Sequence, residues 1–246
     1  MVQYHLQHGD TYLLNLTMPT PINTNLRLET IFEHSKAPYR LLIADEMVCF
    51  SPEIFVRIQE GIISSYPMKG TIKSDMPNAA DMLLQDPKEL AEHNTIVDLI
   101  RNDLSIVAKK VRVKRYRYLD EIHTNRGGLL QMSSEIAGVL PPDYPAHIGN
   151  ILAALLPAGS ISGAPKEKTV SVIQAAEVGP RGYYTGVFGV FDGKNMDSAV
   201  MIRFIEAQNK RYVYRSGGGI TAKSQCKQEY QELINKVYVP IGKHTD

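Results

Sequence analysis

The sequence predicts an α+β fold, with antiparallel sheets and packed helices, because strand-like runs cluster and helical stretches are segregated between them. No repeat, low-complexity tract or Pro/Ser-rich linker interrupts the 246 residues, so a single domain over 1–246 is expected. That length lies near the upper edge of what one core supports.

From Tyr4 to about Gly61 the short β-like runs are Thr11–Thr17, Tyr39–Ala44, Met47–Ser51 and Ile54–Ile58, punctuated by Gly, Pro and Asp. Asn25–Ser35 between them has helical character. Asn78–Lys110 is helical: Pro87 suits a first turn, and Leu90, Val97, Ile100, Leu104 and Val107 recur at helical spacing. Strands return at Val111–Tyr118 and Gln131–Val139, and a short helix covers His147–Leu156. Ser162 reads as the cap of a helix reaching Glu177. Strands follow at Thr185–Asp192, Asp197–Ala207 and Lys210–Ser216, with turns at Asp192-Gly193 and Asn209-Lys210, before a last helix from Gln225 to Val237.

Composition narrows the function classes. With 27 basic and 26 acidic residues, nothing points to nucleic acid or a membrane surface as partner. Cys49 and Cys226 are far apart and lack a pairing motif, which fits a reducing compartment. No signal-like stretch or run of about 18 apolar residues occurs, so a cytoplasmic location is expected.

Four constellations carry candidate chemistry. Glu89 and Glu92 share one helix face, and Glu229 and Glu232 repeat that spacing on the last helix. Either pair alone reads as a solvated face; two matched pairs hint at a hard-cation site. Lys69, in Pro67-Met68-Lys69-Gly70-Thr71, reads as a turn lysine; as a nucleophile it requires roughly 4–5 kcal/mol of environment to be neutral near pH 7. Ser216-Gly217-Gly218-Gly219 after a strand, and the helix start in Gly159–Lys166, offer backbone N–H groups to an oxyanion. Arg203, on a strand face with Ala199, Met201 and Ile205, must be paired or serve an anionic ligand.

Taken in order, these segments resemble the chorismate-utilising enzymes, which include anthranilate, aminodeoxychorismate, isochorismate and salicylate synthases. The resemblance runs through Gly9-Asp10-Thr11-Tyr12, Phe50-Ser51-Pro52-Glu53, Pro67–Thr71, and Ala91-Glu92-His93 with Ile96–Leu104. It continues through Gly159–Lys166, Arg181-Gly182-Tyr183-Tyr184-Thr185-Gly186, Ile202-Arg203, Gly217–Ile220 and Glu229-Tyr230-Gln231-Glu232, covering almost the whole chain. It implies a sandwich of antiparallel sheets with helices packed outside, like anthranilate synthase component I but N-terminally short.

The resemblance also implies site residues. Glu92 and Glu232 would be the principal Mg²⁺ ligands, with Glu89 and Glu229 in or near the shell. Ser162, Gly163, Tyr184, Arg203, Gly217, Gly218 and Gly219 would hold the substrate, and Lys236, on the helix face of Glu229 and Glu232, would contact it. Members that add water at C2 carry a lysine where this chain has Leu13, and leucine cannot deprotonate water. Anthranilate synthases typically carry Ala at the position of Lys69, whereas aminodeoxychorismate synthases carry the lysine. The closest resemblance is therefore to aminodeoxychorismate synthase component I, the large subunit of para-aminobenzoate synthase. In the implied mechanism Lys69 attacks C2 of chorismate while Glu53, as general acid, protonates the departing C4 hydroxyl, and ammonia then attacks C4 and expels the lysine from C2.

Some features depart from that pattern. Gln131 stands where members usually have His, which mildly favours a product that keeps the enolpyruvyl group. Lys223 replaces a commonly acidic residue, with no chemical reason apparent. Few residues precede Gly9, so no tryptophan-responsive site is expected. Neither cysteine has a glutaminase context, so ammonia or a separate glutaminase subunit is the expected nitrogen source. Anthranilate synthase and a truncated, non-catalytic chorismate-binding protein are the alternatives.

Overall fold

The computed structural model describes residues 1–124, 127–208 and 211–239. The chain begins with α1 (Val2–Gln7), β1 (Leu13–Ile22), α2 (Leu28–His34), β2 (Tyr39–Ile43), β3 (Met47–Ser51), β4 (Ile54–Gln59), β5 (Ile62–Ser65) and β6 (Met68–Lys73). Next come α3 (Ala79–Gln85), α4 (Pro87–Val107), the long strands β7 (Lys109–Thr124) and β8 (Gly127–Val139), a 3₁₀ turn at Tyr144–His147 and α5 (Ile148–Leu155). The remainder is α6 (Gly159–Ser162), β9 (Gly163–Ala164), α7 (Lys166–Ala176), β10 (Val187–Phe191), β11 (Met196–Val200), β12 (Phe204–Gln208), β13 (Arg211–Ile220) and α8 (Cys226–Asn235).

The chain forms two compact units. One comprises residues 1–53, 161–188 and those from Ala199 onwards; the other comprises residues 54–160 and 189–198. The first unit holds a six-stranded sheet in the order β2-β3-β12-β13-β1-β9. Its strand β3 is buried along its length, and the two-residue period of a strand divides its side chains between two clusters. Val48 and Phe50 pack with Leu28, Ile31, Ile205 and Tyr214, while Met47 and Cys49 pack with Tyr184, Met201 and Phe204. Burial pushes the Cys49 thiol up to about 12, which makes it a packing group rather than a nucleophile.

Strand β1 contains Pro19 and Pro21, residues that a strand tolerates only where no ladder N–H is needed. The Thr17 N–H shows why they fit: it donates to Glu177 Oε1 at 3.0 Å rather than to β13. Antiparallel pairs alternate between bonded and non-bonded. Thr17↔Gly217, Pro19↔Arg215 and Pro21↔Val213 therefore fall at non-bonded positions, and no ladder bond is lost.

The second unit holds a seven-stranded sheet, β10-β11-β4-β5-β8-β6, with β7 also paired to β8; only the ends of β10 and β11 extend outside it. The long helix α4 lies on this sheet. Its buried stripe is His93, Ile96, Val97, Ile100, Asp103 and Leu104, at the i, i+3, i+4 spacing of an amphipathic helix. Ile58, Ile63, Met132 and Ile136 are among the fully buried sheet residues of the same unit.

Several sequence expectations need correction. Lys69 is not in a turn but in β6, which the sequence hides because Pro67 and Gly70 bracket it. Asp197–Ala207 is not one strand: β11 and β12 belong to different sheets, and Arg203 between them has φ +54, outside the strand region. Arg203 therefore shares no strand face with Ala199, Met201 and Ile205. Ser162 ends α6, and the cap position of α7 is held by Pro165. The three glycines lie within β13 rather than after a strand. Helix α1 was not foreseen. The Asp192-Gly193 turn is present, with both the Lys194 and Asn195 N–H groups donating to Asp192 Oδ1, whereas Asn209-Lys210 lies outside the described residues. Among the described residues no helix is long and apolar enough to cross a membrane.

Candidate active site

In the second unit, Lys69 sits at a bulge. The β6–β8 register jumps between Met68 and Thr71, and Gly70 takes φ +76, a value that costs a residue with a Cβ about 1–2 kcal/mol. The Lys69 Nζ lies 4.0 Å from Glu92 Oε2, with both side chains largely buried. Glu89, one turn earlier on α4, places its carboxylate over Gly70: a Cβ there would come within 2.9 Å of both Glu89 Oε2 and Leu83 Cδ1. Lys69, Glu89 and Glu92 are thus one cluster, and the bulge is what lets helix and strand meet there. Gly70→Ala should lower stability by about 1–3 kcal/mol in a chemical-denaturation curve. Gly149→Ala in α5, with open space and no positive φ, should be neutral or stabilising by about 0.4–1 kcal/mol.

Beneath this cluster lies His93, fully buried, with Nε2 2.7 Å from Ser134 Oγ. The same hydroxyl oxygen accepts the Arg117 N–H at 2.9 Å, and the Ser134 N–H donates to the Pro67 carbonyl at 3.1 Å. His93 Nδ1 and Ser133 Oγ are buried and have no hydrogen-bond partner among the described residues. Burial, helped by the nearby charges of Arg117 and Lys69, lowers the His93 pKa to about 4. An imidazole neutral in the fold and titrating near 6.5 when unfolded contributes stability that is complete above pH 6.5 and lost as pH falls toward 4. Wild-type stability should drop across that window by about 3 kcal/mol more than that of His93→Gln, measured by denaturation at each pH.

In the first unit, α8 brings Glu229 and Glu232 over β13. A Cβ on Gly218 would lie 3.7 Å from Glu232 Oε1 and 3.9 Å from Glu229 Oε2. Lys236, just past the helix, donates from Nζ to Glu232 Oε1 at 2.6 Å and to the Gly217 carbonyl at 2.9 Å. The alternation set by Thr17 assigns the glycine amides. Gly218 pairs with Leu16 at a bonded position, so its N–H belongs to the ladder and does not join an oxyanion cradle. Gly217 and Gly219 turn theirs to the opposite side, where pairing with β12 has ended at Arg215↔Phe204.

Arg203 stands one residue beyond that last pair. Its guanidinium lies over the Tyr238 ring at 5.5 Å, and its buried Nε has no hydrogen-bond partner among the described residues. A cation with an unused donor suits an anionic ligand. Tyr184 is buried nearby, its phenol pushed up by burial and influenced by the charges of Arg203, Arg181 and Glu53. Glu53 is fixed by its backbone: its N–H donates to Ser51 Oγ, and its carbonyl accepts from Val200. Gly163, at φ +133, presses against β1, where a Cβ would overlap the Leu13 carbonyl oxygen.

Each predicted site residue is therefore placed. Lys69, Glu89 and Glu92 come together in one unit; Gly217, Gly218, Gly219, Glu229, Glu232 and Lys236 come together in the other, which also holds Glu53, Ser162, Gly163, Tyr184 and Arg203. Among the described residues no group of three or more His, Cys, Asp or Glu could hold a metal ion. Taken as pairs, the four glutamates have the hard-oxygen chemistry that Mg²⁺ favours. Sequence reading assigned no role to His93, Ser134, Glu177 or Arg181. A helical-spacing signal existed for His93, three and four residues before Ile96 and Val97; Arg181 lies within one of the ordered motifs, and nothing marks Ser134 or Glu177 as functional.

An α+β chain built on antiparallel sheets, with lysines, paired carboxylates and an arginine with an unused donor, has groups suited to a small anionic ligand. Residues 1–242 match the chorismate binding enzyme family, and the chain belongs to that family. It is 60% identical over 242 residues to an uncharacterized PabA-like protein of Pasteurella multocida, covering 98% of this chain and 75% of that one. It is 37% identical to anthranilate synthase component 1 of Aquifex aeolicus, across 76% of this chain and 38% of that one. The crystal structure of anthranilate synthase component I from Streptococcus pneumoniae superposes with a TM-score of 0.82 at 29% identity, covering 96% of this chain and 54% of that one.

Proposed function

We propose that this chain is an aminodeoxychorismate synthase component I, converting chorismate and ammonia to 4-amino-4-deoxychorismate. The observation that carries the proposal is Lys69, held on a bulged strand beside Glu92 in a chain whose family binds chorismate. Leu13 leaves no base for adding water at C2, and the PabA-like name of the Pasteurella relative is in keeping with para-aminobenzoate chemistry.

In this mechanism the Lys69 amine adds at C2, the ring double bond shifts, and the C4 hydroxyl leaves as water with a proton from Glu53. Ammonia then adds at C4 and the lysine departs from C2 as the double bond returns, so the enolpyruvyl group is retained. Arg203, Tyr184, Ser162 and the main chain at Gly163, Gly217 and Gly219 hold the substrate's carboxylates, and Lys236 neutralises charge beside them. Either glutamate pair, Glu89 with Glu92 or Glu229 with Glu232, would offer carboxylate oxygens to Mg²⁺, which would orient the ring carboxylate and neutralise its charge when bound. A separate glutaminase subunit would supply the ammonia.

The test is incubation with chorismate, Mg²⁺ and ammonium, with products separated chromatographically. Aminodeoxychorismate is the expected product. Fluorescent anthranilate with pyruvate would favour the second reading, anthranilate synthase component I, which the Aquifex and Streptococcus likenesses bring forward. Mg²⁺-dependent chorismate binding without turnover would make the chain a non-catalytic binding protein.

A further inference from the structure

Arg181 opens the motif that carries Tyr184 and has no role in the proposed chemistry, yet its guanidinium makes five hydrogen bonds. Nε donates to Glu177 Oε2 at 3.0 Å, and Nη2 donates to Glu177 Oε1 at 2.7 Å and to the Asn15 carbonyl at 2.7 Å. Nη1 donates to the Ile161 carbonyl at 3.0 Å and to Thr185 Oγ1 at 3.3 Å. All five N–H groups of the side chain are therefore accounted for. Glu177 also accepts the Thr17 N–H and the Thr17 hydroxyl, both at 3.0 Å, and both side chains of the ion pair are well buried.

The place of this pair in the sheet explains its purpose. Strand β9 pairs with β1 at Leu13 and Leu14, and the edge of β1 beyond them has no partner strand among the described residues. On that edge Glu177 accepts the Thr17 N–H as a strand carbonyl would, and Arg181 donates to the Asn15 carbonyl as a strand amide would. The ion pair continues the ladder with side chains where the two-residue strand stops. Its remaining contacts fall beside the substrate-holding groups: Ile161 precedes Ser162 and Gly163, Thr185 follows Tyr184, and Asn15 is opposite Gly219. A Cβ on Gly217 would meet Asn15 Oδ1 at 2.6 Å, so Asn15 also sets the position of that glycine.

We infer that Arg181, locked by Glu177, is a positioning residue that fixes Ser162-Gly163, Tyr184 and the Gly217–Gly219 strand in register to receive the substrate's carboxylates. The affinity arm of its test rests on chorismate being the substrate; the structural arm does not. Arg181→Lys keeps the charge but has three donors and no planar fork, so it cannot serve five acceptors. Glu177→Gln keeps an acceptor for Thr17 and Arg181 while removing the formal pair.

The expected result for Arg181→Lys is a chorismate KM raised about tenfold. Amide hydrogen exchange should quicken at Ser162, Gly163 and Tyr184 and stay at the wild-type rate in β4 and β5. Glu177→Gln should move the same amides in the same direction by less. Unchanged exchange at those three amides, or a uniform rise throughout the chain, would overturn the inference. Should the wild type neither bind nor turn over chorismate, the proposed function falls, and the exchange pattern alone decides the role of Arg181.

Discussion

Lys69→Ala is expected to abolish aminodeoxychorismate formation, with a loss on the order of 10⁴-fold or more, because no other route to the C2 adduct is offered. Alanine also removes the cation beside Glu92, so it does not by itself separate nucleophile from charge. Lys69→Arg does, since a guanidinium keeps the positive charge but stays protonated and cannot attack. Both variants should be inactive while retaining the wild-type circular dichroism spectrum. Intact mass after incubation with chorismate, without ammonium, should show a substrate-derived adduct on the wild type and none on either variant. Full activity of Lys69→Arg would remove the covalent mechanism.

Gly163→Ala should be the most destabilising single-methyl change in the first unit. Its φ of +133 is a conformation that L side chains rarely adopt, and the added Cβ would overlap the Leu13 carbonyl oxygen in the short β1–β9 ladder. Because the obstacle is backbone, no side-chain rotation relieves it. A loss of about 3–5 kcal/mol is expected, a fall in Tm of about 10 °C for a chain of this size. Gly179→Ala, with nothing within 4 Å of the new methyl, is the matched control and should melt with the wild type. If the two variants melt together, the close approach of β9 to β1 is not a constraint on the fold.

What could be read from the sequence was whatever depends on local period or on ordered motifs. The stripe on α4 is legible because a helix face repeats every three to four residues, and the glutamate pairs are legible for the same reason. Strand β6 was hidden because Pro67 and Gly70 carry turn chemistry, and only the sheet partner β8 turns that segment into a bulged strand. The break at Arg203 was equally hidden, since a non-glycine residue at positive φ leaves no mark in the sequence. The Arg181 network joins residues as much as 166 positions apart, and its logic, an edge left open beside a two-residue strand, exists only in three dimensions. Lys69 and Glu53 are singled out by ordered motifs rather than by their own surroundings.

The glycine stretch of β13 has a consequence for how such a protein can change over time. Where Gly217 and Gly219 turn their N–H groups away from β1, what they offer is main chain, and peptide groups are the same whatever codon encodes them. Mutation can block this surface, because a Cβ on Gly217 meets Asn15 and Thr17, but it cannot easily retune it. The side chains at positions such as Leu13, Lys69 and Gln131 carry no such restriction. On the proposed function, descent from a common ancestor can therefore keep the grip constant while altering the reaction, and the place to look for divergence among relatives is in a few reactive side chains rather than in the strand proposed to hold the substrate.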